Sequence, residues 1–140
     1  MRPRIALTGA VLVVLAALAG CNKPASPPGD VAVADVVLGR ALAPDGTIAE
    51  DARTNHFWTT DTFYASVTLE GTAADVTLAA RWTGPDGAAA ESSKSVSPRG
   101  TTQVAFEAPP PQDGRWPEGD YRVEILINGA SQATRDLNAR

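Results

Sequence analysis

One histidine, one cysteine and three tryptophans are the side chains of this chain with the most specific chemistry. His56 lies in the run Asp51, Ala52, Arg53, Thr54, Asn55, His56, Phe57, Trp58, with Asp61 a few positions on. A histidine acting as general base needs a nucleophile within hydrogen-bond reach, a group that orients its ring and an oxyanion pocket. No Gly-x-Ser-x-Gly elbow or comparable element accompanies it. His56 therefore reads as a loop or strand-edge residue, and no catalytic residue is assigned. Zinc fails on ligand count, because one imidazole and one thiol cannot supply four ligands. Asp86, within Gly84, Pro85, Asp86 and Gly87, and Asp113, before Gly114, lack the alternating acids of a calcium loop. Both read as turns, so no metal site and no cofactor are expected.

The aromatic residues carry a different chemistry. Trp58 follows Phe57, and Trp116 precedes Pro117. Exposed aromatics on loops stack on sugars or grip peptides. The competing reading has Phe57 and Trp116 plugging the open ends of a core. Trp58 has the better claim to exposure, because neighbours in an extended segment point to opposite sides. Trp58 and Trp116 are the candidate binding aromatics. The clusters Glu118 with Asp120, and Arg135 with Asp136, read as solvated faces.

Length and charge narrow the classes further. The chain has 140 residues with 12 basic and 16 acidic side chains, a formal charge of −4. Arg2 and Arg4 fall in an N-terminal leader that carries no acids, so the remainder is at about −6. That balance excludes a basic face for nucleic acid and electrostatic docking to anionic lipid. Beyond the leader, the length suits one domain. Such a domain buries roughly two-thirds of its unfolded surface and needs neither metal nor disulfide.

Residues 1–20 read MRPRIALTGAVLVVLAALAG. Two arginines form a short positive region, and an apolar run follows from Ile5 to Leu18, broken by Thr8 and Gly9. At ~14 residues it is shorter than the roughly 20 of a membrane-spanning helix, and it suits the apolar core of a signal peptide. Ala19 and Gly20 then lead to Cys21. A single cysteine cannot form an internal disulfide, so a free thiol in an exported domain calls for an explanation. Leu18, Ala19, Gly20 and Cys21 resemble the bacterial lipobox: leucine, a small residue, glycine or alanine, then cysteine. The resemblance implies recognition of Leu18, Ala19 and Gly20 by a dedicated signal peptidase and cleavage before Cys21. It also implies diacylglycerol on the Cys21 thiol, acylation of the new N-terminus, and thus a covalent lipid. Each buried CH₂ contributes ~0.8 kcal/mol; one chain holds marginally, whereas two or three anchor stably. Asn22 follows the cysteine. In Gram-negative lipoproteins aspartate at that position retains the protein in the inner membrane, so the resemblance favours the outer membrane, facing the periplasm. Residues 21–30 form the lipidated cysteine and a linker. Within it, residues 22–30 hold three prolines, a serine and a glycine without periodicity. Such a segment is a semi-rigid spacer reaching up to roughly 28 Å at ~3.1 Å per residue.

These features must be positioned by residues 31–140, where apolar side chains recur with period two and long helical periodicity is lacking. In residues 121–127, Tyr121, Val123, Ile125 and Ile127 share one face, and Arg122, Glu124 and Leu126 the other. Asn128 and Gly129 then signal a hairpin, returning through residues 130–139, whose polar tail suits an edge. Upstream, Phe63, Ala65, Val67 and Leu69 alternate, Gly71 and Thr72 turn the chain, and Val76, Leu78, Ala80 and Trp82 face one side. Residues 84–87 close that strand with turn residues. Further strands are expected over residues 31–38, over 92–96 as a polar edge and over 102–107, with residues 47–49 as a short addition. The expectation is an all-β, antiparallel sandwich of about seven or eight strands, preceded by a signal helix and a flexible linker.

The order of features resembles the immunoglobulin-like fold. Trp82 matches that family's core tryptophan on the third strand. Gly119, Asp120, Tyr121, Arg122 and Val123 resemble the corner at the start of its sixth strand, where a tyrosine hydroxyl caps the turn. Val123 stands where the second cysteine would fall, so the inter-sheet disulfide is missing and antibody-type domains are excluded. Fold alone does not imply activity. Anchor, spacer and sandwich together suggest a non-enzymatic envelope lipoprotein with the membrane and an unknown envelope protein as partners, and no nucleic acid. A carbohydrate- or glycan-binding module using Trp58 and Trp116 is the alternative, and a small hydrolase the remote third.

Overall fold

The computed structural model describes residues 30–140; the leader, the lipobox residues, Cys21 and residues 22–29 lie outside the described residues. Eight strands follow in chain order: β1 (Val31–Gly39), β2 (His56–Phe57), β3 (Phe63–Gly71), β4 (Val76–Gly84), β5 (Gly87–Val96), β6 (Thr102–Ala108), β7 (Gly119–Ile127) and β8 (Ala130–Ala139). They form a three-stranded sheet in the order β1-β3-β6 and a five-stranded sheet in the order β2-β8-β7-β4-β5. Every pairing is antiparallel except β2 on β8.

The period-two pattern becomes the core because successive side chains of a strand point to opposite faces. Phe63, Ala65, Val67 and Leu69 of β3 are buried, as are Val76, Leu78, Ala80 and Trp82 of β4 and Tyr121, Val123, Ile125 and Ile127 of β7. Phe63 centres an aromatic cluster. Its ring stacks on Trp116 at 4.4 Å and an 8° interplanar angle, with Phe57 at 4.8 Å and Tyr121 at 5.4 Å. The β7–β8 hairpin turns where expected, with φ of 50° at Asn128 and 83° at Gly129, the left-handed values its tight turn requires.

Two features identify the architecture. Trp82 is buried on β4 with Val123 of β7 as its register partner. The Tyr121 hydroxyl donates to the Pro117 carbonyl at 2.6 Å, closing the corner before β7. With two sheets in this strand order, the domain is an immunoglobulin-like β-sandwich.

The structure departs from the sequence pattern in four places. Residues 47–49 form no strand. They lie in a crossing loop that ends in a 3₁₀ turn, Glu50–Ala52. Ile48 is buried there, and the Ser66 hydroxyl donates to Gly46 O at 2.8 Å. β5 starts at Gly87 rather than at residue 92, because cross-strand pairing with β4 recruits three alanines of weak β propensity. The end of β8 is not an edge, since β2 pairs with Asn138 and Ala139 while Phe57 inserts into the core. Leu126, placed by alternation on the outer face, is buried beside the register slip between Ile125 and Leu126.

The two ends of the sandwich differ in what reaches them. β1 begins at Val31 and runs nine residues to Gly39, about 30 Å at ~3.3 Å per residue. Near Val31 lie the β7–β8 hairpin and the turns after β3 and β5. At the Gly39 end lie residues 40–62, 85–86 and 109–118.

Candidate functional site

The end away from Val31 carries the one large apolar side chain left exposed among the described residues, Trp58, at 61%. It sits on a tight turn. Trp58 N–H donates to Asp61 Oδ2 at 2.8 Å, and Asp61 N–H returns to Trp58 O at 3.0 Å. Arg40, from the end of β1, lies against this turn. Its Nε is 3.2 Å from Asp61 Oδ2, its Nη2 donates to His56 O at 2.6 Å, and its guanidinium carbon is 5.7 Å from the Trp58 ring centre. A cation over an indole face is attracted by the ring quadrupole, worth about 0.5–1 kcal/mol at an exposed site. Asp61 and the His56 carbonyl thus hold the guanidinium where it steadies the indole.

Trp116 has the opposite fate, and this corrects the binding reading of that residue. Only 3% exposed, it packs on Phe63, donates from Nε1 to Asp61 O at 2.9 Å and from its backbone to Thr59 O at 2.7 Å. A buried indole N–H needs such a partner. Trp116 plugs the end of the core, and the turn that presents Trp58 serves as its lid.

His56 lies exposed on β2, with Nδ1 against the Asn138 side-chain amide at 2.9–3.2 Å. Among the described residues, the hydrogen bonds of its ring reach no hydroxyl and no carboxylate. Among the described residues, no three His, Cys, Asp or Glu side chains converge to hold a metal ion. Asp86 and Asp113 both lie in turns.

Next to Trp116 the structure forms a cavity of about 170 Å³ that the sequence does not announce. Pro85, Pro111 and Pro117 wall it, with the edges of Trp116 and Tyr121; Asp86, Ala88 and Ala89 stand at its β5 side. Two glycines permit this packing. A Cβ on Gly84 would overlap Tyr121 Cε1, and one on Gly119 would come within 2.8 Å of Pro85 Cγ. Burial pushes the Tyr121 hydroxyl above its ordinary pKa, and the nearby Asp86 charge adds to the effect.

The outer face of the five-stranded sheet is polar. Arg81 lies between Glu91 at 3.6 Å and Glu124 at 3.2 Å, and Arg122 pairs with Asp136 at 2.9 Å. Such exposed pairs are worth about 0–1 kcal/mol each, and we assign them to solubility rather than recognition. Sequence reasoning singled out Trp58 but not Arg40. The two are 18 positions apart, and only the crossing of β1 beside the 58–61 turn brings them together.

No protein-family profile matches the chain, and no curated protein matches it. Solved structures do. The chain is similar to an immunoglobulin-like protein from Pseudomonas aeruginosa at 18% identity and a TM-score of 0.50, covering 84% of this chain and 99% of that one. It is also similar to part of an alkylpurine DNA glycosylase from Pseudomonas fluorescens, solved bound to DNA containing an abasic-site analogue, at 16% identity and a TM-score of 0.55. That match covers 79% of this chain, which spans 30% of the glycosylase's length. At such identities the likeness is one of fold, and the fold it shows is the immunoglobulin-like sandwich.

Proposed function

We propose that this chain is a lipid-anchored envelope protein whose sandwich domain is a non-enzymatic binding module for another protein. The observation that carries the reading is Trp58, exposed and braced by Arg40 at the end of the domain away from Val31. The chain N-terminal to Val31 leads back to Cys21. A domain held by lipid on Cys21, through the proline-rich spacer and then about 30 Å of β1, presents Trp58 away from the bilayer. Tryptophan and arginine are enriched among the residues that dominate protein interfaces. A pre-ordered pair also loses less side-chain entropy on binding.

Two experiments test the two halves of the proposal. Cells fed labelled palmitate incorporate it into the native chain and not into Cys21→Ser; incorporation into neither removes the anchor. A photo-crosslinking residue at position 60 in intact envelopes yields a discrete adduct that Trp58→Ala abolishes. The same adduct in both backgrounds, or none, rejects the Trp58 surface. Glycan binding is the second reading. Trp58 supports it, but the burial of Trp116 leaves one aromatic platform instead of two. Tryptophan fluorescence unchanged across a panel of envelope glycans dismisses it.

A further inference from the structure

We propose that the upper part of the free β5 edge and the proline-walled cavity beside it form a second binding site, which takes an extended basic segment of a partner protein by strand addition. The site is separate from Trp58 and stands or falls by itself.

β5 is the last strand of its sheet, and among the described residues its only strand partner is β4. An unpaired edge is a template for another strand. The lower half of β5 is guarded. Lys94 reaches across to donate to Ala105 O and lies 5.3 Å from the Phe106 ring centre, an inward charge of the kind that blunts edges. The upper half has no such guard. Gly87, Ala88, Ala89 and Ala90 carry nothing larger than a methyl group, contain no proline, and leave the backbone open to an incoming strand.

The same residues adjoin the cavity. The register slips between Trp82 and Thr83, whose partners are Ala90 and Ala88, so Ala89 is an extra residue. Bulges of this kind bend a strand and re-aim side chains, and they gather beside binding sites. Ala88 and Ala89 line the cavity of about 170 Å³. Dry cavities of about 150 Å³ admit a benzene-sized group, so this one has room for a single apolar side chain. Its walls are rigid: prolines, a tryptophan held by one hydrogen bond from its indole and one from its backbone, and a tyrosine held at its hydroxyl. A strand laid along residues 87–91 delivers one of its side chains to the cavity.

Charge selects the rest of the ligand. Asp86 stands at the cavity and makes no ion pair among the described residues. Beyond its leader the chain is at about −6. The segment that fits has one apolar anchor flanked by lysine or arginine.

The test uses the full-length chain, purified as the cell makes it and labelled with ¹⁵N. It is titrated with three capped hexapeptides: Thr-Lys-Leu-Lys-Val-Thr, its glutamate counterpart Thr-Glu-Leu-Glu-Val-Thr, and Thr-Lys-Ser-Lys-Ser-Thr. The lysine–leucine peptide shifts the amides of residues 87–91 and the Trp116 indole saturably. Replacing its apolar residues by serine weakens binding about tenfold or more, the loss of a buried apolar side chain. Asp86→Asn, an exposed change that leaves the fold intact, weakens it about two- to five-fold. No shift at millimolar peptide, equal binding of the glutamate peptide, or shifts confined to other surfaces each overturns the proposal. None of those results touches the Trp58 crosslink, which arises from a different turn.

Discussion

Replacing Tyr121 by phenylalanine tests how the corner before β7 holds the candidate site together. The ring remains, with its contacts to Phe63 at 5.4 Å and Trp116 at 5.8 Å. What goes is one hydroxyl and its 2.6 Å hydrogen bond to Pro117 O. An intramolecular hydrogen bond contributes about 0.5–1.5 kcal/mol net, and stranding a buried partner costs about 1–3 kcal/mol. Pro117 is exposed, so water reaches its carbonyl and the cost stays near 1 kcal/mol. For a domain of this size that lowers Tm by about 4 °C. Urea unfolding followed by circular dichroism should show a lower midpoint at unchanged slope, because the surface exposed on unfolding is nearly the same. The pH dependence gives an independent check. Burial, then the Asp86 charge, raises the Tyr121 pKa in the folded state. The hydroxyl therefore ionises first in the unfolded chain, near pH 10. Its contribution is constant below that pH and is lost as pH rises through the folded value. The native protein should lose stability above pH 10 by a component that Tyr121→Phe lacks, so the two curves converge. Equal midpoints at pH 7, or parallel curves above pH 10, would refute the account of the corner.

Three further outcomes follow from the packing. Gly84→Ala forces a Cβ into the Tyr121 ring and should cost about 1–3 kcal/mol, read as a lower thermal midpoint; an unchanged midpoint would show that the corner yields. Trp82 is fully buried, and its Nε1 has no hydrogen-bond partner among the described residues, so Trp82→Phe sheds an unsatisfied donor while leaving a void. It should cost well under the ~3–5 kcal/mol of Trp82→Ala, measured by urea denaturation of both variants. Trp58→Ala should leave stability within about 0.5 kcal/mol, as surface changes do, while removing the envelope crosslink; a large loss of stability would recast Trp58 as a structural residue.

Much of the body of the domain is legible in one dimension. Alternation in residues 63–70, 76–82 and 121–127 names the buried faces, and Asn128 with Gly129 places a hairpin, because strand periodicity and turn geometry act over a few neighbouring residues. The corner tyrosine is legible for the same reason: Tyr121 reaches only four positions back to Pro117. The failures are nonlocal. Residues 47–49 carry a strand-like pattern, yet they cap the smaller sheet as a loop. Ala88 and Ala90 have weak strand propensity, yet they pair because β4 lies beside them. The tail of β8 reads as an edge, yet β2, two residues long and 82 positions away, covers it.

The candidate sites divide along the same line. The expectation of a leader, the lipobox resemblance at Cys21 and the acidic balance come from the sequence by itself, since each is a matter of composition or of adjacent residues. Which tryptophan faces water is a tertiary outcome. Trp58 and Trp116 look alike in sequence, each beside a strand and next to an apolar or proline neighbour. Only the closing of the sandwich end sends Trp116 onto Phe63 and turns Trp58 out against Arg40. The cavity beside β5 is likewise the product of three separate segments converging at Tyr121. Exposure and concavity depend on what arrives from far along the chain, and no local pattern records that.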